Sequence, residues 1–402
     1  MRDLVKYVLQ NMMKRLTRSS LTIISILIGI TAIFALLSFG QGLQKYINET
    51  AEKAGANKII VQPRAFGPPG STPASLKERD LDIIHRVSGV DQVAGTVMGQ
   101  TEVKDKNAKI GKFVFVSGLE PGPNLRMVEE AFSLELEKGR NLQKGDRKKA
   151  VLGYNYQLSD KIFEKPVRLG DSITIKGVAF QVSGFYKEVG NPQDDSNIYI
   201  TNDDAKELFD TEDYSYAIVQ TKAGENPGQV AMAISEKLRR DRGQKEGQED
   251  FFVQTYEDAL AAFSTIITVL NAVLVIIAMI SVVVAAVNIM NTMYTAVLER
   301  TKEVGVMKAI GAENSTILGV FIVESGFLGL IGGLLGIGLG YLIAKAGGAA
   351  AAAAGYSILK PFFPWWLTFG CLVFAFLVGL ASGYFPAKAA SKLSPVEALR
   401  YE

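Results

Sequence analysis

The sequence predicts a membrane protein with four transmembrane α-helices, an N-terminal interfacial helix, and an α+β extracytoplasmic domain inserted between helices 1 and 2. Three observations predict it. Apolar residues make up 48% of the 402 residues and gather in four windows rather than spreading evenly. A long mixed polar stretch, 44–258, separates the first window from the second. The basic residues Arg2 to Arg18, Arg300, Lys302, Lys308, Lys388, Lys392 and Arg400 all fall on one side of the four spans. An excess of Lys and Arg marks the cytoplasmic side, so both termini are expected there. Lys345 and Lys360 are a mild exception.

Residues 1–18 place Leu4, Val5, Val8, Leu9, Met12, Met13 and Leu16 on one helical face, ringed by Arg2, Lys6, Lys14, Arg15 and Arg18. A basic amphipathic helix suits a membrane interface, where cations meet anionic lipid. A soluble core helix is the competing reading. Residues 19–44 carry no charge and are long enough for one span. The run is too long for a signal h-region, and Ser38 to Gly42 is not an A-x-A cleavage site, which favours a retained helix.

From 44 to 255 the short alternating runs, with Gly and Pro between them, read as a folded domain. Strands are expected at 58–62, 109–118, 150–153, 172–186, 197–201, 214–221 and 251–255, with Lys176-Gly177 as a hairpin turn. Helices are expected at 76–87, 203–209 and 227–240, the last with Asn226 as N-cap and Pro227 at the first helical position. Residues 63–73 and 241–250 read as exposed loops.

Between Asp258 and Glu299 lie 40 residues without charge, glycine or proline. A helix of that length reaches ~60 Å at 1.5 Å per residue, whereas a bilayer core needs ~30 Å. It spans and has length left for a stalk. The charged segment 299–312 follows it directly.

The third window, 317–344, is interrupted by Glu324. An acid at the bilayer centre costs ~3 kcal/mol or more, but 325–344 can span unaided, which leaves Glu324 near the cytoplasmic edge, met by water or a neighbouring Lys or Arg. It reads either as a hinge or coupling contact or as a satisfied interface acid. Gly329, Gly332, Gly333, Gly336 and Gly340 make GxxxG spacings that let a second helix approach closely. A short outer turn is expected over 345–364, then an aromatic belt of Phe362, Phe363, Trp365 and Trp366, and a last span at 365–385.

A net charge of +2 with no basic tract argues against nucleic-acid binding. A single cysteine, Cys371, allows no intrachain disulfide and no cysteine-built zinc site. No GxxxxGK[ST] occurs, so ATP hydrolysis is not expected of this chain. His85 has no matched partners for a triad or a metal, and the acidic pair Asp194 and Asp195 reads as a solvated turn rather than a calcium site. No catalytic or metal-ligating residue is assigned.

The run Glu299-Arg300-Thr301-Lys302-Glu303-Val304-Gly305-Val306-Met307-Lys308-Ala309-Ile310-Gly311-Ala312 resembles the cytoplasmic coupling segment of ABC transporter permeases of the MacB, LolC/LolE and FtsX group. Leu21 to Ile30 is similar to that family's first helix, and 386–402 to its C-terminal tail. Gly139-Arg140, Ala150-Val151-Leu152-Gly153, Phe163, Pro166-Val167-Arg168-Leu169-Gly170-Asp171, Gly184-Phe185 and Ile198-Tyr199-Ile200 resemble its two-lobed MacB-like extracytoplasmic core.

The resemblance implies a lobe near 135–210 inserted between halves of a second lobe at 57–134 and 211–255. It implies domains at 1–43, 44–258 and 259–402. It further implies a separate ABC ATPase subunit that holds the ATP and Mg, with no cofactor in this chain. That subunit would meet Glu299, Arg300, Lys302, Glu303, Val304, Gly305, Val306, Met307, Lys308 and Ala309.

A second permease copy, in a homodimer, and surrounding lipid complete the expected assembly, with an adaptor or extracytoplasmic partner open. The implied activity is mechanotransmission that exports a small molecule, peptide or lipid-linked cargo. The alternative is an FtsX-like, non-transporting relay controlling an outer partner such as a cell-wall hydrolase. A membrane-tethered enzyme has no catalytic constellation behind it.

The charge asymmetry predicts the outcome of cysteine labelling in a Cys371→Ser background. Ser159→Cys or Gln193→Cys reacts with an impermeant reagent outside intact cells, and Ala312→Cys does not; reaction at position 312 overturns the orientation.

Overall fold

The computed structural model describes residues 16–55, 57–64, 75–105 and 111–400. Residues 1–15 of the expected interfacial helix and 65–73 of the expected Pro-rich loop lie outside the described residues. The chain divides into two compact units. One comprises Tyr46–Thr265 with Ala351–Ile358; the other comprises Ile266–Ala350, Leu359–Glu402 and the chain up to Lys45.

The membrane unit draws on α1 (Leu16–Ala54), α6 (Tyr256–Glu299), α8 (Asn314–Ala353) and α9 (Trp365–Ser391), with two short helices, α7 (Thr301–Ala309) and α10 (Pro395–Arg400). Among the described residues, four helices are long and apolar enough to cross a membrane. One face of α6 is buried through Ala278, Val282, Ala285, Ile289, Met293 and Val297, a spacing of three and four that keeps them in one stripe. Ile266, Leu270, Val273, Ile277, Ile280 and Val284 are exposed on its other faces. Such apolar exposure is the normal state of a helix in lipid.

Polar side chains join the helices inside this unit. Thr22 and Thr292 share a hydroxyl hydrogen bond of 2.8 Å. Asn288 Nδ2 donates to Ser25 Oγ at 2.8 Å, and Thr31 Oγ1 donates to the Gly336 carbonyl at 3.0 Å. Such bonds add roughly 0.6 kcal/mol each, because the competing states in the bilayer also find partners.

Residues 345–353 depart from expectation. They continue α8 instead of forming the short outer turn, because alanine has the highest helix propensity and six of them stand in line. The helix stops where Gly355 takes φ +96° and the Tyr356 amide bonds back to Ala351 O. The last helix likewise runs through Pro386 to Ser391, six residues past the expected end. Phe363 turns inward, stacked on Phe34 and tilted against Tyr341, while Trp365 and Trp366 remain exposed.

The α+β unit is built from two sheets. Strands β1 (Lys58–Pro63), β2 (Val90–Thr96), β10 (Tyr216–Thr221) and β11 (Phe251–Thr255) form a four-stranded antiparallel sheet in the order β11-β1-β10-β2. Helices α2 (Glu78–His85) and α5 (Pro227–Asp241) pack on it, as does α3 (Pro123–Ala131). The α5 stripe Val230, Ile234 and Leu238 is buried at four-residue spacing. Asn226 Oδ1 accepts the Gln229 amide as N-cap, with Pro227 next to it as expected.

The second sheet contains β3 (Met98–Asp105), β4 (Lys112–Leu119), β5 (Leu136–Gly139), β6 (Lys149–Leu152), β7 (Ser172–Ile175), β8 (Val178–Tyr186) and β9 (Ile198–Thr201), with α4 (Asn202–Phe209) against β4 and β9. The order is β5-β8-β6-β9-β4-β3-β7, and β8 also pairs with β7, so the sheet closes into a barrel. Val103, Val116, Ala150, Leu152, Ile173, Ile175, Phe180, Val182, Ile198 and Ile200 belong to its buried core. The turn between β7 and β8 is Lys176-Gly177 with φ of +47° and +85°, the two positive values a type I′ hairpin requires.

β3 and β4 lie before the lobe boundary expected near 135, yet they belong to the barrel. β4 runs parallel to β9 and β3 antiparallel to β7, pairings that only the three-dimensional register reveals. β2, β3, β5 and α3 are additions to the expected elements. The expected solvated turn at Asp194 and Asp195 is also corrected. Asp195 is 3% exposed, and its two carboxylate oxygens accept the Val189 and Gly190 amides at 2.7 and 3.0 Å. Burial pushes the Asp194 and Asp195 carboxyls upward, and the two amide bonds to Asp195 oppose the shift.

Leu152 is fully buried in β6, flanked by β8 and β9. Leu152→Ala is expected to cost about 2–5 kcal/mol. The check is hydrogen exchange of the full chain: protection falls across β6, β8 and β9 and stays unchanged in α6.

Candidate functional site

The expected ATPase-contact residues lie where α6 gives way to α7, and the expected packing glycines lie along α8. α6 ends at Glu299, and Arg300 leaves helical geometry with φ −107° and ψ 15°. Its amide is shared between the Ala296 and Val297 carbonyls, both at 3.2 Å. Thr301 Oγ1 donates to the Val297 and Leu298 carbonyls at 3.1 and 2.8 Å. These bonds satisfy acceptors that a helix end leaves open.

α7 closes in a Schellman arrangement. The Ala312 amide reaches Met307 O at 2.9 Å and the Gly311 amide reaches Lys308 O at 3.0 Å, with Gly311 at φ +97°. Glycine takes this left-handed position without the Cβ penalty that other residues meet. The sharp stop sets α7 apart from α8 as an element of its own.

α7 has two faces. Thr301, Val304 and Gly305 are buried, with Val304 at 0% exposure in the same core as Ile317, Phe321, Ala387 and Ala390. α7 also packs against α10, a contact no sequence expectation included. The signal available was Pro395, which suits the first turn of a helix, ahead of Ala398, which is buried. Glu299, Lys302, Glu303, Val306 and Ala309 are exposed, and Met307 and Lys308 are half-buried. Ile310, just past the helix, is 81% exposed. It was absent from the expected contact residues.

Arg300 is the buried centre of the joint. Its Nη1 lies 2.8 Å from Glu324 Oε2, its Nε lies 2.9 Å from Glu303 Oε2, and the guanidinium sits 5.1 Å from the Phe321 ring centroid. Glu324 is therefore the satisfied acid, and the cation meeting it comes from the segment where an ATPase contact was expected. A planar guanidinium offers a fixed fork of donors to carboxylates and a flat face to a ring at once; an ammonium is a point charge without that fork or face. Arg300, Val304 and Gly305 thus face the protein, whereas Lys302, Glu303, Val306 and Ala309 face outward.

The glycines of α8 divide between two neighbours. A Cβ at Gly332 would stand 2.8 Å from Ile26 Cβ, one at Gly336 would stand 2.9 Å from Ile30 Cβ, and one at Gly340 would stand 3.1 Å from Thr31 O, all on α1. A Cβ at Gly329 would meet the Ala375 carbonyl, and one at Gly333 would stand 2.6 Å from Ala375 Cβ, both on α9. Among the described residues no group of His, Cys, Asp and Glu could hold a metal ion.

Two family models match this chain: the MacB-like periplasmic core domain over residues 19–237, and the FtsX-like permease C-terminal over residues 260–395. The chain is 39% identical over 402 residues to an ABC transporter permease of Methanocaldococcus jannaschii, a match covering 100% of this chain and 98% of that one. It is 27% identical to the ABC transporter permease YknZ of Bacillus subtilis, covering 99% and 98%. It is 29% identical to the macrolide export ATP-binding/permease protein MacB of Bdellovibrio bacteriovorus, covering 96% of this chain and 59% of that protein. Of solved structures, the periplasmic region of MacB from Actinobacillus actinomycetemcomitans aligns with a TM-score of 0.44 and 18% identity, covering 54% of this chain and 97% of that one.

The chain belongs to the ABC transporter permeases of the MacB/FtsX type, whose membership implies an ATPase partner.

The glycine geometry generates a paired test. Gly336→Leu is expected to cost about 1–3 kcal/mol by overpacking against Ile30. Gly338→Leu is tolerated, because nothing lies within 4 Å of a Cβ there. Thermal unfolding of the purified chain in detergent separates the two.

Proposed function

We propose that this chain relays the motion of an ABC ATPase to its own α+β domain, and that the relay drives export of a small molecule, peptide or lipid-linked cargo. The observation that carries the proposal is the two-faced α7, anchored on one side at Arg300 and open on the other, at the end of an unbroken 44-residue helix. A helix transmits displacement when its hydrogen-bond ladder is continuous, and residues 259–298 contain no glycine or proline to bend it.

In this reading α7 and both termini are cytoplasmic, and the ATPase binds the ATP and Mg. Two permease copies pair as a homodimer within the lipid. An adaptor, or another extracytoplasmic partner, meets the α+β domain.

The docking face is then Lys302, Glu303, Val306, Ala309 and Ile310, with Glu299 at its margin. Arg300, Val304 and Gly305 support it from beneath. A non-transporting relay of the FtsX type would use the same joint. Export is preferred here because the MacB-like match accounts for the larger part of the chain, 19–237, including most of the α+β domain.

The test is co-purification of the ATPase with the permease from membranes. Val306→Arg, at an exposed site, is expected to lower the recovered ATPase at least about tenfold, equivalent to ~1.4 kcal/mol, while the permease elutes unchanged. Full recovery of the ATPase with Val306→Arg and with Ile310→Arg would leave α7 a membrane-surface helix and nothing more.

A further inference from the structure

The relay reading leaves open how a push on one short helix reaches more than one membrane helix, and this inference rests on that reading. We infer that Arg300 is a positioning residue that divides the displacement of α7 between α6, through the backbone, and α8, through the Glu324 carboxylate.

Three observations carry it. The chain leaves helical geometry at Arg300 alone between Glu299 and Thr301, so α6 and α7 are two levers meeting at one residue. From that residue the side chain reaches Glu324, 24 positions along the sequence and on a different membrane helix, with side-chain exposures of 4% and 12%. It also holds Glu303 on α7 itself, so α7 and α8 are clasped by one guanidinium.

A buried ion pair resists extension more than an exposed one, because separating the charges strands both in a low dielectric. Phe321 lies one helical turn before Glu324 on α8 and stacks on the same guanidinium, so the clasp has two contacts on that helix. Removing the charge of Glu324 leaves α8 held to α7 by the Phe321 and Val304 packing and the short link through 310–313, without the ion pair, while the link from Arg300 to α6 is unchanged. A purely structural pair would instead loosen both helices together.

The experiment uses the permease with its co-purified ATPase in lipid nanodiscs, in a Cys371→Ser background. Spin-label distances are measured without nucleotide and with ATP and vanadate. One pair, Ile276→Cys with Phe369→Cys, reports α6 against α9; the other, Leu342→Cys with Phe369→Cys, reports α8 against α9. All three positions are exposed.

Both distances are expected to respond in the parent. Glu324→Gln should shrink the α8 response at least about twofold and leave the α6 response intact. The exchange Arg300→Glu with Glu324→Arg, made together with Glu303→Gln so that two carboxylates do not face each other on α7, should recover most of the loss. Equal responses of the two pairs to Glu324→Gln overturn the inference, as does a split that the exchange fails to reverse. A parent in which neither distance responds defeats the relay reading itself, which is a separate result. Should Glu324→Gln not fold, Glu324→Asp, which keeps the charge and withdraws it by one methylene, is read by the same criterion.

Discussion

A backbone polar group with no partner in hydrocarbon costs several kcal/mol, so a chain crossing a membrane is free to bend only where its amides and carbonyls are met. The membrane unit obeys this constraint at its one described joint between α6 and α7. The Arg300 amide is shared between the Ala296 and Val297 carbonyls, the Thr301 hydroxyl reaches Val297 again and Leu298 besides, and the far end closes at Gly311 with paired amide bonds. Once the backbone is accounted for, the guanidinium is left to meet Glu324, Glu303 and Phe321. The buried acid in α8 and the kink after α6 are thus one arrangement.

The α+β unit solves a related problem with different material. Asp195 is as buried as Arg300, but backbone amides rather than an opposite charge meet it, and they hold residues 189 and 190 in place. Arg242 does the same for the chain around 250, bridging Asp80 at 2.6 Å and Asp250 at 2.7 Å. Asp195 ties a local loop five and six residues before it, whereas Arg242 reaches Asp80, 162 positions away in the sequence. A buried charge tolerates few alternative arrangements, which suits it to fixing a loop.

Much of this was legible in the sequence because the relevant signals are local. Lys176-Gly177 announced its hairpin, Asn226-Pro227 its helix start, and 40 uncharged residues announced α6. The missing elements are those whose identity depends on remote partners. β3 reads Met-Gly-Gln-Thr-Glu-Val-Lys-Asp, too polar to signal a strand until β4 and β7 flank it. The charged segment 299–312 was visible as a segment, but not its sidedness. Nothing in the local pattern marks Val304 as fully buried and Val306 as half exposed, because the cover comes from elements far along the chain. Glu324 was visible as an anomaly needing a cation; that the cation is Arg300 follows only from the fold.

Closure of the barrel has a consequence for how this protein meets other chains. A strand with a free edge offers unpaired amides and carbonyls to any passing extended segment. With β7 paired to β8, no strand of the closed ring lies at an edge along its whole length, and β5, its extra strand, is four residues long. Among the described residues, the strands that lie at a sheet edge along their whole length are β11 and β2 of the four-stranded sheet and the short β5. A neighbour that bound by adding a full-length strand finds its longer templates at β11 and β2, and most of the barrel wall is left to recognition by side chains.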